Sequence, residues 1–170
     1  MLTLAGASAL SPFRLGRLLA ELQAIDPAVR AVQARYMHFV ETDGELHDEQ
    51  RAVLAQLLEY GPRRDDVQYD GELFLVVPRP GTLSPWSSKA TDIARNCGLA
   101  AVRRIERGIA YYVTRDGAID AQMRTRIAAP LHDRMVESVL DSLDDAEKLF
   151  VHEAPRALRT VDILGGGREA

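Results

Sequence analysis

Residues that could bind an anion are concentrated between Pro78 and Gly98, in the stretch PRPGTLSPWSSKATDIARNCG. The prolines stiffen this stretch and Gly81 permits a sharp turn, so we expect the segment to hold one shape. A helix that begins near Ser87 would expose free backbone N–H groups, and Lys89 would add a positive charge. The hydroxyls available to a phosphate or carboxylate there are those of Thr82, Ser84, Ser87 and Ser88. The glycine spacing of known phosphate loops is absent, so a plain turn and helix cap is the alternative.

A cysteine, a histidine and a carboxylate suggest nucleophilic catalysis, but their positions argue against it. Cys97 lies at the far end of its predicted helix, where the helix dipole disfavours the thiolate that catalysis requires. His132 lies near a predicted helix start, where capping is the simpler interpretation. The sequence therefore does not predict a catalytic triad of Cys97, His132 and Glu137.

Two further residues, His38 and Trp86, stand out by their surroundings. His38 lies on a predicted strand with no other ligand at metal-binding spacing, which favours a core or interface histidine over a metal ligand. Trp86 lies between Pro85 and Ser87 in a polar loop, so it must either fold back onto its own domain or enter a neighbour. Tryptophan is favoured at interfaces between proteins.

Composition and charge narrow the function classes. The 170 residues carry a net charge of −4, which argues against a dedicated nucleic-acid binder, although Arg103, Arg104 and Arg107 could form a local basic patch. Cys97 is the only cysteine, so no intrachain disulfide can form and a reducing compartment is expected. The sequence contains neither an apolar run of membrane-spanning length nor a signal peptide pattern, so we expect a cytoplasmic protein with no membrane partner.

Hydrophobic periodicity predicts four strands that alternate with four helices. The predicted strands are 1–5, 29–40, 73–77 and 102–114, and the predicted helices are 12–25, 48–59, 89–97 and 118–143. Ser11 and Pro12 begin the first helix, Ser87 or Ser88 caps the third, and Pro130 kinks the fourth. The apolar stripe of the fourth helix consists of Leu131, Met135, Val136, Val139 and Leu140.

This order predicts an α+β fold. Two strand–helix–strand halves, residues 1–40 and 72–114, would be joined by the helix at 48–59. We therefore expect a pseudo-duplicated ferredoxin-like sandwich, although no residue-level repeat relates the halves. Residues 1–150 are predicted to form the domain, and the glycine-containing stretch 151–170 to begin a linker.

The stretch PRPGTLSPWSSKATDIARNCGL closely resembles a signature of the large single-chain phosphoribosylformylglycinamidine synthase, also called formylglycinamide ribonucleotide amidotransferase. In proteins of that family, this signature lies near the N-terminus of the chain. Further similar segments cover most of the chain: RIERGIAYYV at 104–113, LHDRMVESV at 131–139 and VDILGGGREA at 161–170.

The resemblance implies one part of a four-part ligase of purine biosynthesis. That enzyme has an N-terminal domain similar to a dimer of the small subunit of split synthases, a linker, an ATP- and magnesium-using synthetase, and a glutaminase. It converts a formyl amide to an amidine with ammonia from glutamine. The family's catalytic and cofactor residues lie outside 1–170, so none is assigned here and this chain alone is expected to be inactive.

The same resemblance suggests which residues contact other domains. The N-terminal domain bridges the glutaminase and the synthetase and helps ammonia pass between them, so we expect both domains of the same polypeptide as partners. The candidate contact residues are Arg79, Thr82, Ser84, Trp86, Ser87, Ser88, Lys89 and Asp92. Two alternatives stay open: an independent homodimeric binding module, and a small phosphate-binding enzyme that uses the loop 78–92.

Overall fold

The computed structural model describes residues 1–61, 68–151, 157–158, 160 and 163–166. Five strands and five α-helices follow the order β1 (Leu2–Ser8), α1 (Pro12–Ile25), β2 (Val29–Thr42), α2 (Asp48–Leu57), β3 (Glu72–Pro78), α3 (Pro85–Asn96), β4 (Val102–Arg115), α4 (Ala121–Ala128), β5 (Glu137–Leu140) and α5 (Ile163–Gly166) in the described part of the chain. Short 3-10 helices span Ala129–Leu131 and Asp144–Phe150. No helix in the described ranges is long and apolar enough to cross a membrane.

The strands form one antiparallel sheet in the order β1-β2-β4-β3-β5, which confirms the α+β class. The two longest strands, β2 and β4, pair along their whole length. In a split strand–helix–strand unit of ferredoxin-like type, another strand separates the two strands that a helix connects. Here α1 connects neighbouring strands, and so does α3, so the ferredoxin-like description is not confirmed.

One face of the sheet carries alternate residues of β2 from Val32 to Val40, and we call it the helical face. At one end of this face α1 and α4 pack on Val32 and Val113. At the other end α2 and α3 pack on Val40 and Ile105. Between these helix pairs lies the central row of the sheet that contains His38 and Arg107. Neither residue belongs to the buried core of either helix pair.

The opposite face of the sheet is covered by the 3-10 segment Asp144–Phe150. Its Ala146 and Leu149 pack against Phe39 and Leu75. The extended pattern predicted for 29–40, with both of its faces partly covered, is therefore confirmed. The interior position predicted for 73–77 is also confirmed, because the middle residues of β3 are buried between the two layers.

The helix predicted over 118–143 is wrong beyond Ala128. Asp120 caps α4 by accepting the backbone N–H of Met123 at 2.7 Å, and after Pro130 the chain turns to form β5 beside β3. Val139 and Leu140 therefore lie on opposite faces of a strand rather than on one helical stripe. The remaining members of that predicted stripe divide between a buried Leu131 and the exposed Met135 and Val136.

The first strand continues past its predicted end at Ala5 and reaches Ser8. Gly6 lies within it because the ring of His38 approaches the backbone there. A β-carbon at Gly6 would lie 2.7 Å from Cε1 of His38 and 3.1 Å from Cβ of Tyr36. Any other residue at this position would force the histidine ring to move.

Candidate functional site

The loop after β3 is a turn fixed by its own backbone. The carbonyl of Arg79 accepts the backbone N–H of Thr82 at 3.1 Å, and Pro80 and Gly81 occupy the two middle positions. Gly81 has a φ of 83°, as the third residue of a type II turn requires. The hydroxyl of Thr82 donates to the same carbonyl at 2.6 Å. The single shape predicted for this loop thus has a local cause.

Helix α3 begins earlier than predicted. Ser84, not Ser87 or Ser88, is its N-cap, and the Ser84 hydroxyl accepts the backbone N–H of Ser87 at 3.0 Å. Pro85 occupies the first helical position, where a missing N–H has no cost. The pair Ser84-Pro85 repeats the Ser-Pro signature that correctly predicted the start of α1.

A buried carboxylate anchors the loop to the sheet. Glu106 of β4 is fully buried and accepts hydrogen bonds from Nε of Arg104 at 2.9 Å and from the Ser84 hydroxyl at 3.3 Å. Arg104 also donates to the carbonyls of Thr82 at 2.6 Å and Leu149 at 2.9 Å. We call these residues the Glu106 network. It joins the loop, the strand and the 3-10 segment.

The Glu106 network weakens the case for a phosphate site at this loop. Its carboxylate already lies beside the N-terminus of α3, where a bound phosphate would have to sit. The hydroxyls of Thr82 and Ser84 are engaged in the turn and the cap. Ser87 is fully buried, and its Oγ has no hydrogen-bond partner in the described part of the chain.

Helix α3 occupies the edge of β4 that β3 does not reach. The register of β3 on β4 ends at the pair Val76 and Ile109. Beyond it, the Thr91 hydroxyl accepts the backbone N–H of Ile105 at 3.0 Å. This buried side chain takes the place of a strand partner and fixes the helix against the sheet.

On the helical face, Arg107 is surrounded by aromatic rings. Its guanidinium carbon lies 4.5 Å from the ring centre of Tyr36, 4.6 Å from that of Trp86 and 5.8 Å from that of Tyr60. Nη1 of Arg107 donates to the Tyr60 hydroxyl at 3.2 Å, and that hydroxyl lies 2.6 Å from Nε2 of His38. We call these five residues the Arg107 cluster. Trp86 therefore folds back onto its own domain, one of the two options that the sequence left open.

Burial shifts the protonation equilibria of this cluster. Burial, assisted by the charge of Arg107, lowers the pKa of His38 to about 4, so its ring is neutral at pH 7. Burial also raises the pKa of the Tyr60 hydroxyl, although the hydrogen bond from Arg107 acts in the opposite direction. At its edge, burial and the charge of Glu137 raise the pKa of Tyr111 to about 12. Nδ1 of His38 has no hydrogen-bond partner among the described residues.

The candidate contact residues divide by exposure. Ser84 and Trp86 are half-buried and Ser87 is buried. Five are exposed: Arg79, Thr82, Ser88, Lys89 and Asp92. Most of the predicted residues are thus accessible, but the contacts predicted for them stay predictions.

Two depressions flank the loop. A cleft of about 540 Å³ is lined by both polar and apolar residues, which include Thr82, Leu83, Asp92 and Arg103. On the other side, a groove of about 470 Å³ is mainly apolar and is lined by Pro78, Arg79, Thr82, Leu83, Ser84, Pro85, Met135, Val136 and Glu137. We call the second depression the apolar groove. Sequence reasoning missed it because Met135 and Val136 were assigned to the core of a helix.

The structure also shows the surroundings of Cys97, His132 and Glu137, the three residues that the sequence raised as a possible catalytic set. Cys97 is exposed at the end of α3, whereas His132 contacts the carbonyl of Ala128 at 2.7 Å. Glu137 accepts the backbone N–H of Asp133 at 2.8 Å. None of the contacts recorded for the described residues joins Cys97, His132 and Glu137 into a catalytic set.

The three arginines that could have formed a basic patch do not lie together. Arg104 and Arg107 extend to opposite faces of β4, whereas Arg103 is exposed and pairs with Asp43 at 3.5 Å. The described ranges also contain no group of three or more His, Cys, Asp or Glu residues that could hold a metal ion.

Most of the chain described above matches a known protein family. Residues 35–150 match the family model described as formylglycinamide ribonucleotide amidotransferase N-terminal. The matched range includes the second half of β2, all of β3 to β5, the loop, the Glu106 network and the apolar groove. The match covers more than half of the chain.

Proposed function

The chain belongs to the formylglycinamide ribonucleotide amidotransferase N-terminal family, and from this premise we propose that it acts as a non-catalytic contact domain of that ligase of purine biosynthesis. In this proposal the domain bridges the synthetase and glutaminase of the same polypeptide and supports ammonia transfer between them. Glutamine chemistry, ATP and magnesium belong to those other domains.

The apolar groove beside the loop is the observation that carries the proposal. Leu83 is 60 % exposed, Met135 77 % and Val136 60 %, and all three line this one groove. Exposed apolar side chains that cluster in this way mark surfaces that bind another protein. Arg79 and Glu137 border the groove and provide polar partners at its rim.

The loop also has a conformation that is fixed in advance, which favours binding to another domain. A type II turn, a capped helix and the Glu106 network hold its shape before any partner binds. Such preorganisation reduces the entropy lost on association. The exposed side chains of Ser88, Lys89 and Asp92 extend the surface along α3.

We further propose that the core of the fold is a duplication. The halves β1–α1–β2 and β3–α3–β4 have the same element order, and the sheet order β1-β2-β4-β3 is symmetric about the boundary between β2 and β4. This symmetry is what a dimer of small subunits joined in one chain would have. Within the proposal, residues 1–150 form the domain and 151–170 begin its linker.

The full-length ligase tests the contact proposal. Met135→Asp places a charge in the apolar groove, and it should lower glutamine-dependent amidine formation at least about tenfold, as a disrupted interface centre does. Formation with external ammonia should change far less, because the synthetase would stay intact. Product formation with each nitrogen donor is the measurement.

Phe13→Asp is the matched control, because Phe13 is 73 % exposed and lies on α1, which does not line the groove. Equal effects of the two substitutions would refute the groove as the contact surface. Loss of activity with both nitrogen donors in Met135→Asp alone would instead assign the groove to the synthetase site.

For the isolated chain, we expect neither glutaminase nor ATPase turnover, and measurable turnover would contradict a non-catalytic role.

A further inference from the structure

Among the partly buried arginines in the described part of the chain, Arg107 and Arg35 are the two that form no ion pair with a described carboxylate. Arg104, Arg115 and Arg124 each form an ion pair with at least one carboxylate. Arg107 is also half-buried, but no carboxylate of the described residues lies within ion-pairing distance of it. A cation withdrawn from water normally requires an anionic partner, so this arrangement needs an explanation.

The hydrogen-bonding capacity of Arg107 is mostly unused. A guanidinium offers five N–H donors, and the described residues accept one hydrogen bond from it, at the Tyr60 hydroxyl. Nε and Nη2 of Arg107 have no recorded acceptor in the described ranges, and they are not among the fully buried unpaired atoms. Among the described residues these two donors on one edge of the guanidinium therefore have no acceptor, and the side chain is only half-buried.

The surrounding rings determine how a ligand can approach. Tyr36 and Trp86 each lie within 4.6 Å of the guanidinium carbon, and cation–π attraction of this kind holds the group in place. Tyr60 occupies the Nη1 side. A ligand can thus reach the open edge of the guanidinium, where two N–H groups can bind two oxygens in parallel.

We propose that Arg107 binds an oxyanion, a carboxylate or a phosphate group, at this edge on the central row of the helical face. The site lies between the α1–α4 and α2–α3 helix pairs, where neither buried core covers the sheet. Glu137, whose carboxylate accepts the backbone N–H of Asp133, forms no ion pair with Arg107 among the described contacts. This inference is independent of the apolar groove, which lies in the same domain but has different lining residues.

The chain contains its own reporter for this site. Trp86 is the only tryptophan, and its ring is one of those that contact Arg107. We would titrate the 170-residue chain with inorganic phosphate and, separately, with acetate, while chloride keeps the ionic strength constant. The fluorescence of Trp86 should change saturably, with a midpoint in about the millimolar range.

The two titrations distinguish the sources of the anion. A tighter midpoint for phosphate would indicate a phosphorylated small molecule, and a tighter midpoint for acetate would indicate a carboxylate such as a side chain of another domain. No saturable response to either ion up to about 100 mM would overturn the proposal.

Two variants test whether Arg107 is responsible. Arg107→Lys keeps the charge but removes the paired N–H groups, so the midpoint should weaken at least about tenfold. Lys89→Ala is the control, because Lys89 lines a pocket with Trp86 and could attract anions to the same reporter. A loss of the response in Lys89→Ala and its retention in Arg107→Lys would refute the assignment.

A measurement on the unmodified chain keeps the test valid if Arg107→Lys does not fold. The Nε–H resonance of Arg107 in an NMR spectrum should shift with phosphate and give the same midpoint as Trp86 fluorescence. Equal shifts for Arg107 and the exposed Arg103 would indicate nonspecific screening and would overturn the proposal.

Discussion

Arg104 and Arg107 lie three positions apart on β4, and they occupy opposite environments. Arg104 contacts the buried carboxylate of Glu106 and two backbone carbonyls, so its charge and its donors are used within the fold. Arg107 contacts aromatic rings and one hydroxyl, and no carboxylate of the described residues neutralises it. The same residue type on one strand therefore stabilises the loop on one face and remains available to a ligand on the other.

The two regions also differ in how completely their buried polar groups are paired. In the Glu106 network, each member has charged or hydrogen-bonded partners, so the network specifies the position of the loop. In the Arg107 cluster, Nε and Nη2 of Arg107 have no acceptor in the described part of the chain. Incomplete satisfaction of this kind is expected at sites selected for function rather than for stability.

Removal of the Glu106 charge should have the largest effect on stability. Glu106→Gln leaves the partly buried Arg104 without a counterion, and the loss of one partner of a buried pair costs about 3–5 kcal/mol. Chemical denaturation of the isolated chain measures this change. The control is Asp43→Asn, which removes an exposed partner of Arg103 and should cost less than about 1 kcal/mol. Similar costs for both variants would contradict a structural role of the Glu106 network.

Acidification should have the next largest effect on folding stability, through His38 of the Arg107 cluster. The folded pKa of His38, about 4, lies below the ordinary value of 6.5, so the unfolded chain binds the proton more tightly. The stabilisation is complete above pH 6.5 and is lost as pH falls from 6.5 to 4, by up to about 3 kcal/mol. Denaturation midpoints across this interval should fall more steeply for the unmodified chain than for His38→Asn. Parallel curves would show that His38 is not held neutral by burial.

The N-cap should show a smaller effect. Ser84→Ala removes the side chain that accepts the Ser87 N–H and donates to Glu106, and a lost N-cap costs about 1 kcal/mol. Ser88→Ala is the matched control on the same helix, because Ser88 is exposed and makes only a 3.5 Å contact with the Ser84 carbonyl. Its expected change lies within about 0.5 kcal/mol. A larger cost for Ser88→Ala would restore the predicted cap at that residue.

Local signals in the sequence predicted much of the fold. Ser11 and Pro12 begin α1 as expected, and the apolar run 73–77 forms a buried strand. The failure at 137–140 has a physical cause: its apolar residues suit a helix or a strand, and the choice depends on the free edge of β3. The start of α3 was misplaced although its Ser-Pro signal was present at Ser84-Pro85.

The candidate site was predictable only in part. The sequence identified the loop as a stiff segment because proline and glycine restrict the backbone locally, and it gave Trp86 two possible positions. It could not show that Glu106 lies beside the N-terminus of α3, because that contact joins residues 22 positions apart. Without that contact, the hydroxyls of the loop resembled a free anion site.

By itself, the sequence determined the types of the elements from β1 to β4, the helix starts at Ser-Pro pairs and the shape of the turn at Gly81, because each depends on a few neighbouring residues. Only the tertiary structure decided which arginine is neutralised and which remains available. Arg107 and Tyr60 are 47 residues apart, and their contact requires β2, β4 and α2 to assemble. The strand alternation that directs Arg104 and Arg107 to different faces was present in the sequence, but the partners on each face come from distant segments.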